Sequence, residues 1–132
     1  MVDESIDFVQ EGLDQAKRAA VASACGSSDF LVVQGPPGTG KTTFIAELVF
    51  QQHRRQPGSH VLIASQTHAA LDNAIERIQR HRHDLRVVRI GDPFDARVSD
   101  SVQPLLIDRQ IEVWVDDVRE RGEKYLFQWA DE

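Results

Sequence analysis

Little in this sequence supplies covalent or membrane anchoring. It holds one cysteine, Cys25, so an internal disulfide is excluded. A reducing cytoplasm fits, with Cys25 read as a small apolar packing residue. No apolar run reaches membrane-spanning length. The acidic start Met1-Val2-Asp3-Glu4 does not resemble a signal peptide. There is no internal repeat and no low-complexity segment. His68, His81 and His83 lack the spacing and the cysteine or carboxylate company of a metal site; His81 and His83 read as a solvated helix end.

A basic excess is also missing: the net charge is −6, which by itself argues against a nucleic-acid protein. Its distribution matters more. Residues 1–60 carry five basic and seven acidic groups, and residues 92–132 carry five and eleven. Residues 61–91 reverse the balance, with five arginines against three carboxylates. The middle third can therefore still face a phosphate backbone. At 132 residues, with 41% hydrophobic and 27% charged content, the chain is an ordinary soluble globular domain.

The informative feature is Gly35-Pro36-Pro37-Gly38-Thr39-Gly40-Lys41-Thr42-Thr43. It fills every position of the phosphate-loop pattern G-x-x-x-x-G-K-S/T, or Walker A. The short apolar run Phe30-Leu31-Val32-Val33 before it suggests a buried strand, and the apolar spacing from Thr43 to Phe50 suggests a helix. Glycines let backbone N–H groups curl around phosphate oxygens, and the helix start adds its positive dipole end. Lys41 supplies a mobile cation for the β- and γ-phosphates, and the Thr42 hydroxyl suits Mg²⁺. Pro36 and Pro37 stiffen the loop and lower its ordering cost. Nucleoside triphosphate, ATP with Mg²⁺, is the expected ligand of residues 35–43; an ordinary Gly/Pro turn is the alternative.

Along the chain, residues 5–25 suggest an amphipathic helix with Phe8, Val9, Leu13, Ala16, Ala20, Val21 and Ala24 on its apolar side, broken at Gly26. Strands are expected at 30–34, 61–65 and 85–90, with helices at about 41–53 and 69–81 between them. That alternation predicts an α/β fold, an incomplete parallel sheet flanked by helices with right-handed crossovers. The region from residue 104 onward predicts a long acidic amphipathic helix carrying Ile107, Ile111, Trp114, Val118, Tyr125 and Trp129, with Arg121-Gly122 interrupting it. It reads either as half of an antiparallel pair or as a single helix on the domain surface. The expected division is 1–103 and 104–132.

The loop together with Val61-Leu62-Ile63-Ala64-Ser65-Gln66-Thr67-His68-Ala69-Ala70-Leu71-Asp72-Asn73 and Val87-Val88-Arg89-Ile90-Gly91 resembles the first RecA-like domain of superfamily 1 helicases, in the Upf1-like group of DNA and RNA helicases. The resemblance covers about residues 13–92, and residues 104–129 fit more loosely, where that group commonly inserts a helical stalk. It implies that residues 35–43 are helicase motif I and Ser65 to Asn73 motif Ia, with Ser65, Thr67 and His68 touching the sugar-phosphate backbone of a single strand. Hydroxyls and N–H groups at a helix start suit that task without reading sequence. Thr67 is equally a helix N-cap, His68 equally a packing residue, and Asp72 and Asn73 are local hydrogen-bonding residues. An AAA+ or small-molecule kinase domain shares the loop but leaves Gln66 to Asn73 unexplained.

Two departures stand out. The group's L-N-x-x-Q-x-x-A-V segment, whose glutamine reads the adenine edge, corresponds here to Leu13-Asp14-Gln15-Ala16-Lys17-Arg18-Ala19-Ala20-Val21. Lys17 takes the glutamine position, and lysine is donor-only where an amide both donates and accepts. No strand ending in Asp-Glu is evident; Asp131-Glu132 follows a run that reads better as helix. The expectation is therefore the ATP-binding, N-terminal part of a helicase motor, a fragment that hydrolyses poorly alone. The alternative is a non-catalytic nucleotide-binding or interaction module. Open sheet edges are expected to invite self-association.

Overall fold

The computed structural model describes residues 6–82 and 84–130, and forms two compact units, Met1–Leu85 and Arg86–Glu132. Asp131, Glu132, His83 and the first five residues lie outside the described residues.

The first unit is built on three helices. Helix α1 spans Gln15–Gly26, α2 spans Lys41–Arg55 and α3 spans His68–His81. Helix α1 packs on α2 and α2 on α3. Leu13, Val21, Ala46, Phe50, Ala74, Ile75 and Ile78 are buried between them. Each helix has a physical reason to start where it does. The Asp14 carboxylate accepts the Lys17 backbone N–H at 2.8 Å as the N-cap of α1. Gly40, at φ 83°, turns the loop into α2. The Thr67 hydroxyl accepts the Ala70 N–H at 3.3 Å and caps α3.

The first helix begins later than its apolar spacing suggests, at Gln15 rather than near residue 5. Phe8 and Val9 precede it. The backbone N–H groups of Val9 and Gln10, which a helix would need, are taken by the buried Glu47 carboxylate of α2 at 2.7–3.2 Å. Gly12, at φ 82°, then turns the chain toward the Asp14 cap.

The expected α/β architecture is not what forms. Among the described residues there is no strand and no sheet; the only β pairing is an isolated parallel bridge between Arg89 and Leu106. Residues 30–34 and 61–65 run without regular structure, and Phe30 and Leu62 are 82% and 86% exposed. The physical reason is that an apolar run records a demand for burial, whereas a strand exists only when another strand satisfies its backbone groups. Here the helices pack directly on one another and bury their own apolar stripes. No sheet lies between them to receive the apolar runs. Among the described residues there is therefore no sheet edge of the kind expected to invite self-association.

In the second unit, Arg89 N–H donates to Leu105 C=O at 2.7 Å, and Ile107 N–H to Arg89 C=O at 2.9 Å. A single 3-10 turn, Gln103–Leu105, leads into helix α4, Ile107–Ala130. Val98, Val102, Leu106 and Arg89 are buried. Helix α4 runs unbroken through Gly122. Its apolar residues Ile111, Trp114, Val118, Tyr125 and Trp129 are exposed, so it is neither paired nor packed along that side within its unit. Among the described residues, no helix is long and apolar enough to cross a membrane.

Candidate nucleotide and phosphate site

Residues 35–43 form a tight loop that ends on the first turn of α2. Gly38 and Gly40 take φ 78° and φ 83°, a region closed to most side chains. The Lys41 ammonium folds back across the loop, donating to the carbonyls of Gly35 at 2.7 Å and Pro36 at 2.8 Å. The Thr39 hydroxyl donates to the same Pro36 carbonyl at 2.8 Å. Gly35 is required by this closure, because a Cβ there would stand 2.8 Å from Thr39 Oγ1. Lys41 is exposed, so its ammonium can exchange these carbonyls for a stronger, charged acceptor.

Beside the loop, a cleft of about 230 Å³ is lined by Thr42 from α2 and by Asn73, Glu76, Arg77 and Arg80 from α3. The Thr42 hydroxyl and the Glu76 carboxylate are the oxygen donors a hard cation takes. Arg77 also donates to the Gln10 side-chain carbonyl at 3.4 Å. The arginine-rich middle third thus contributes two guanidiniums beside the loop.

Lys17, on the first turn of α1, lies against the loop at Gly40. A Cβ on Gly40 would stand 3.1 Å from Lys17 Cε and 3.8 Å from Thr43 Oγ1. The Lys17 ammonium is ion-paired with Asp14. That hydrogen bond, with the Lys17 backbone N–H, holds the Asp14 carboxyl below the usual carboxylate range.

At the start of α3, Ser65 Oγ accepts the Thr67 N–H at 3.3 Å, and Thr67 caps the helix. Ser65, Thr67 and His68 are therefore brought together at one helix start, with Ser65 and Thr67 exposed and His68 half-buried. Asp72 is buried and Asn73 faces the cleft beside Thr42. Burial pushes the Cys25 thiol above its ordinary value, which suits packing rather than reactivity.

Three features escaped the sequence reading. Glu47, a carboxylate inside an apolar helix stripe, is fully buried and anchors the segment before α1. Its position among Ala46, Leu48 and Phe50, with Gln51 one turn on, was the available signal. The packing of Lys17 on Gly40, and the placing of Arg77 and Arg80 in one cleft with Thr42, depend on helix contacts that no local pattern encodes.

A family model described as an AAA domain matches residues 12–123. The chain is 31% identical, over 94% of its length, to an uncharacterized ATP-dependent helicase of Methanocaldococcus jannaschii. It is 34% identical over 78% of its length to the DNA-binding protein SMUBP-2 of Mus musculus. It is 35% identical over 73% to the ATP-dependent helicase upf1 of Schizosaccharomyces pombe. The matched portions are 20%, 10% and 11% of those proteins, so the chain spans a fifth or less of the length of these relatives.

Proposed function

The chain belongs to the AAA domain family of Upf1-like superfamily 1 helicases, and from that premise we propose that it binds ATP with Mg²⁺ through residues 35–43. In this reading Gly35, Pro36, Pro37, Gly38, Thr39, Gly40, Lys41, Thr42 and Thr43 enclose the phosphates. Lys41 moves from the Gly35 and Pro36 carbonyls onto the β- and γ-phosphates. The observation carrying the reading is that lysine: a cation held in the mouth of the loop at the N-terminus of α2 by two neutral carbonyls. Thr42 and Glu76 would hold Mg²⁺, which when bound neutralises charge on the phosphate tail. Ser65, Thr67 and His68 would contact the backbone of single-stranded nucleic acid, leaving Thr67 its capping bond.

The chain is, on this reading, the nucleotide-binding piece of a cytoplasmic helicase motor and hydrolyses ATP poorly by itself. Strong turnover needs a water-activating carboxylate and an arginine finger, which the sequence does not offer in recognisable form. Isothermal titration with Mg²⁺–ATP tests the binding. Lys41→Ala is expected to abolish it while leaving the far-ultraviolet circular dichroism unchanged. Equal binding by Lys41→Ala would sink the reading, and robust single-turnover hydrolysis by the wild type would sink the claim of a weak hydrolase. The exposed apolar side of α4 favours one further reading, a non-catalytic interaction module. A defined complex insensitive to ATP and to single strands would support that instead.

A further inference from the structure

Lysines seldom lie with most of the side chain covered unless a partner compensates the charge. Lys17 does so, with a side chain 24% exposed, and it lies on the residue immediately before the loop lysine. Its stem passes 3.1 Å from the position of a Gly40 Cβ, with Thr43 Oγ1 on the same side. Two lysines from two helices therefore flank one turn of backbone, Lys41 over the Gly35 and Pro36 carbonyls and Lys17 over Gly40. Both are held by acceptors that a phosphate can replace. For Lys41 these are neutral carbonyls; for Lys17 the acceptor is the Asp14 carboxylate.

We infer that Lys17 is a second phosphate-binding lysine of this loop, which leaves Asp14 to donate to a non-bridging phosphate oxygen of the bound nucleotide. The inference rests on the nucleotide-binding reading of residues 35–43 and adds a residue to it. Its ligand is the phosphate tail, so its contribution is blind to the base. Asp14 acts as the competitor: the same carboxylate caps α1 through Oδ1 and restrains the lysine through Oδ2. Because Asn caps a helix as well as Asp does, Asp14→Asn removes the restraint on Lys17 without removing the cap.

The full chain is titrated with Mg²⁺–ATP, Mg²⁺–GTP and tripolyphosphate, using wild type, Lys17→Met, Asp14→Asn and Lys41→Ala. Lys17→Met is expected to weaken all three probes by a similar factor, about three- to tenfold for one partly exposed charge-assisted hydrogen bond. Asp14→Asn is expected to tighten all three, and the double variant to lose that gain. Unchanged affinity in Lys17→Met overturns the inference, and so does a loss confined to one nucleotide with tripolyphosphate unaffected, which would make Lys17 a base reader. Should Lys17→Met fold poorly by circular dichroism, Asp14→Asn decides alone, since no tightening there also overturns it. In each of these failures Lys41→Ala still loses binding and the phosphate-loop reading stands. Failure of the wild type to bind any of the three probes would instead remove that reading, and the inference with it.

Discussion

Glu47 Oε2 accepts the backbone N–H of Gln10 at 2.7 Å, tying the segment before α1 to the middle of α2. The same carboxylate accepts the Val9 N–H at 3.1 Å and the Gln51 side-chain amide at 2.7 Å. Glu47, Gln10 and Gln51 are buried and Val9 is half-buried, so water is a poor substitute for this carboxylate. Glu47→Ala would orphan them together, at a cost of about 3 kcal/mol, the range for hydrogen bonds to a buried charged group. Glu47→Gln keeps one acceptor oxygen and is expected to cost about half of that. Urea unfolding of both variants checks the order. A loss in Glu47→Ala no larger than that of an exposed substitution would mean that residues 7–10 are held by something else.

The loop glycines make a second, separable prediction. Gly40 and Gly58 have nearly the same backbone, φ 83° and φ 88°, but only Gly40 has a neighbour, Lys17 Cε, where a Cβ would go. Alanine at either position strains the left-handed backbone by about 1–2 kcal/mol. At Gly40 that strain falls on the turn holding Lys41, so Mg²⁺–ATP affinity is expected to drop by about tenfold. At Gly58, beyond the far end of α2, stability should fall with affinity intact. Titration calorimetry beside thermal melts separates the two. Equal affinity losses in both variants would show that only global stability matters.

These contrasts mark what local sequence conveys. Helices α2, α3 and α4 announce themselves through apolar spacing, and Thr67 through its place before α3, because helix formation and capping depend on residues within a turn or two. The glycine-rich motif at residues 35–43 is equally local. The start of α1 is not: Val9 looks helical until Glu47, 38 residues later, takes its N–H. The strand expectation failed for a related reason. Val61-Leu62-Ile63 states an apolar preference, but whether such a run becomes a strand is decided by a partner, and the described residues provide none. Lys17 was noticed for its residue type; its packing on Gly40 is a product of how α1 meets α2.

The Arg82–Asp84 pair at the end of α3 should be visible in a titration. Hydrogen bonding to the Arg82 guanidinium, at 2.6 and 2.7 Å, lowers the Asp84 carboxyl from 3.8 to about 2. A carboxylate depressed in the folded state contributes stability above its unfolded value, and the contribution disappears as pH falls through the folded one. Asp84 is therefore expected to titrate near pH 2 by carboxyl-carbon NMR, with its contribution fading between about pH 4 and pH 2. Arg82→Gln should return the midpoint toward the ordinary value. The α3 cap would be preserved, since it uses only the backbone N–H of residue 82, donated to Ile78 C=O. An unshifted midpoint in the wild type would show that the exposed pair does not persist in solution.

Gly122 lies in the interior of α4, a 24-residue helix, and a Cβ there would meet nothing within 4 Å. The surrounding side chains are exposed, so intrinsic propensity rather than packing decides the outcome at this position. Of the exposed i,i+4 pairs beside it, Glu120–Lys124 spans Gly122 and Asp117–Arg121 ends just before it, but such pairs contribute only about 0.3–0.5 kcal/mol each and are screened by salt. Glycine at a helix interior costs about 0.5–1 kcal/mol relative to alanine, mainly through backbone entropy. Gly122→Ala should therefore raise the helical signal and the melting midpoint, and the gain should persist at high salt, where the ion pairs fade. Loss of helicity in Gly122→Ala would restore the break that Arg121-Gly122 suggests in the sequence, because only a turn with positive φ at residue 122 would penalise the added methyl.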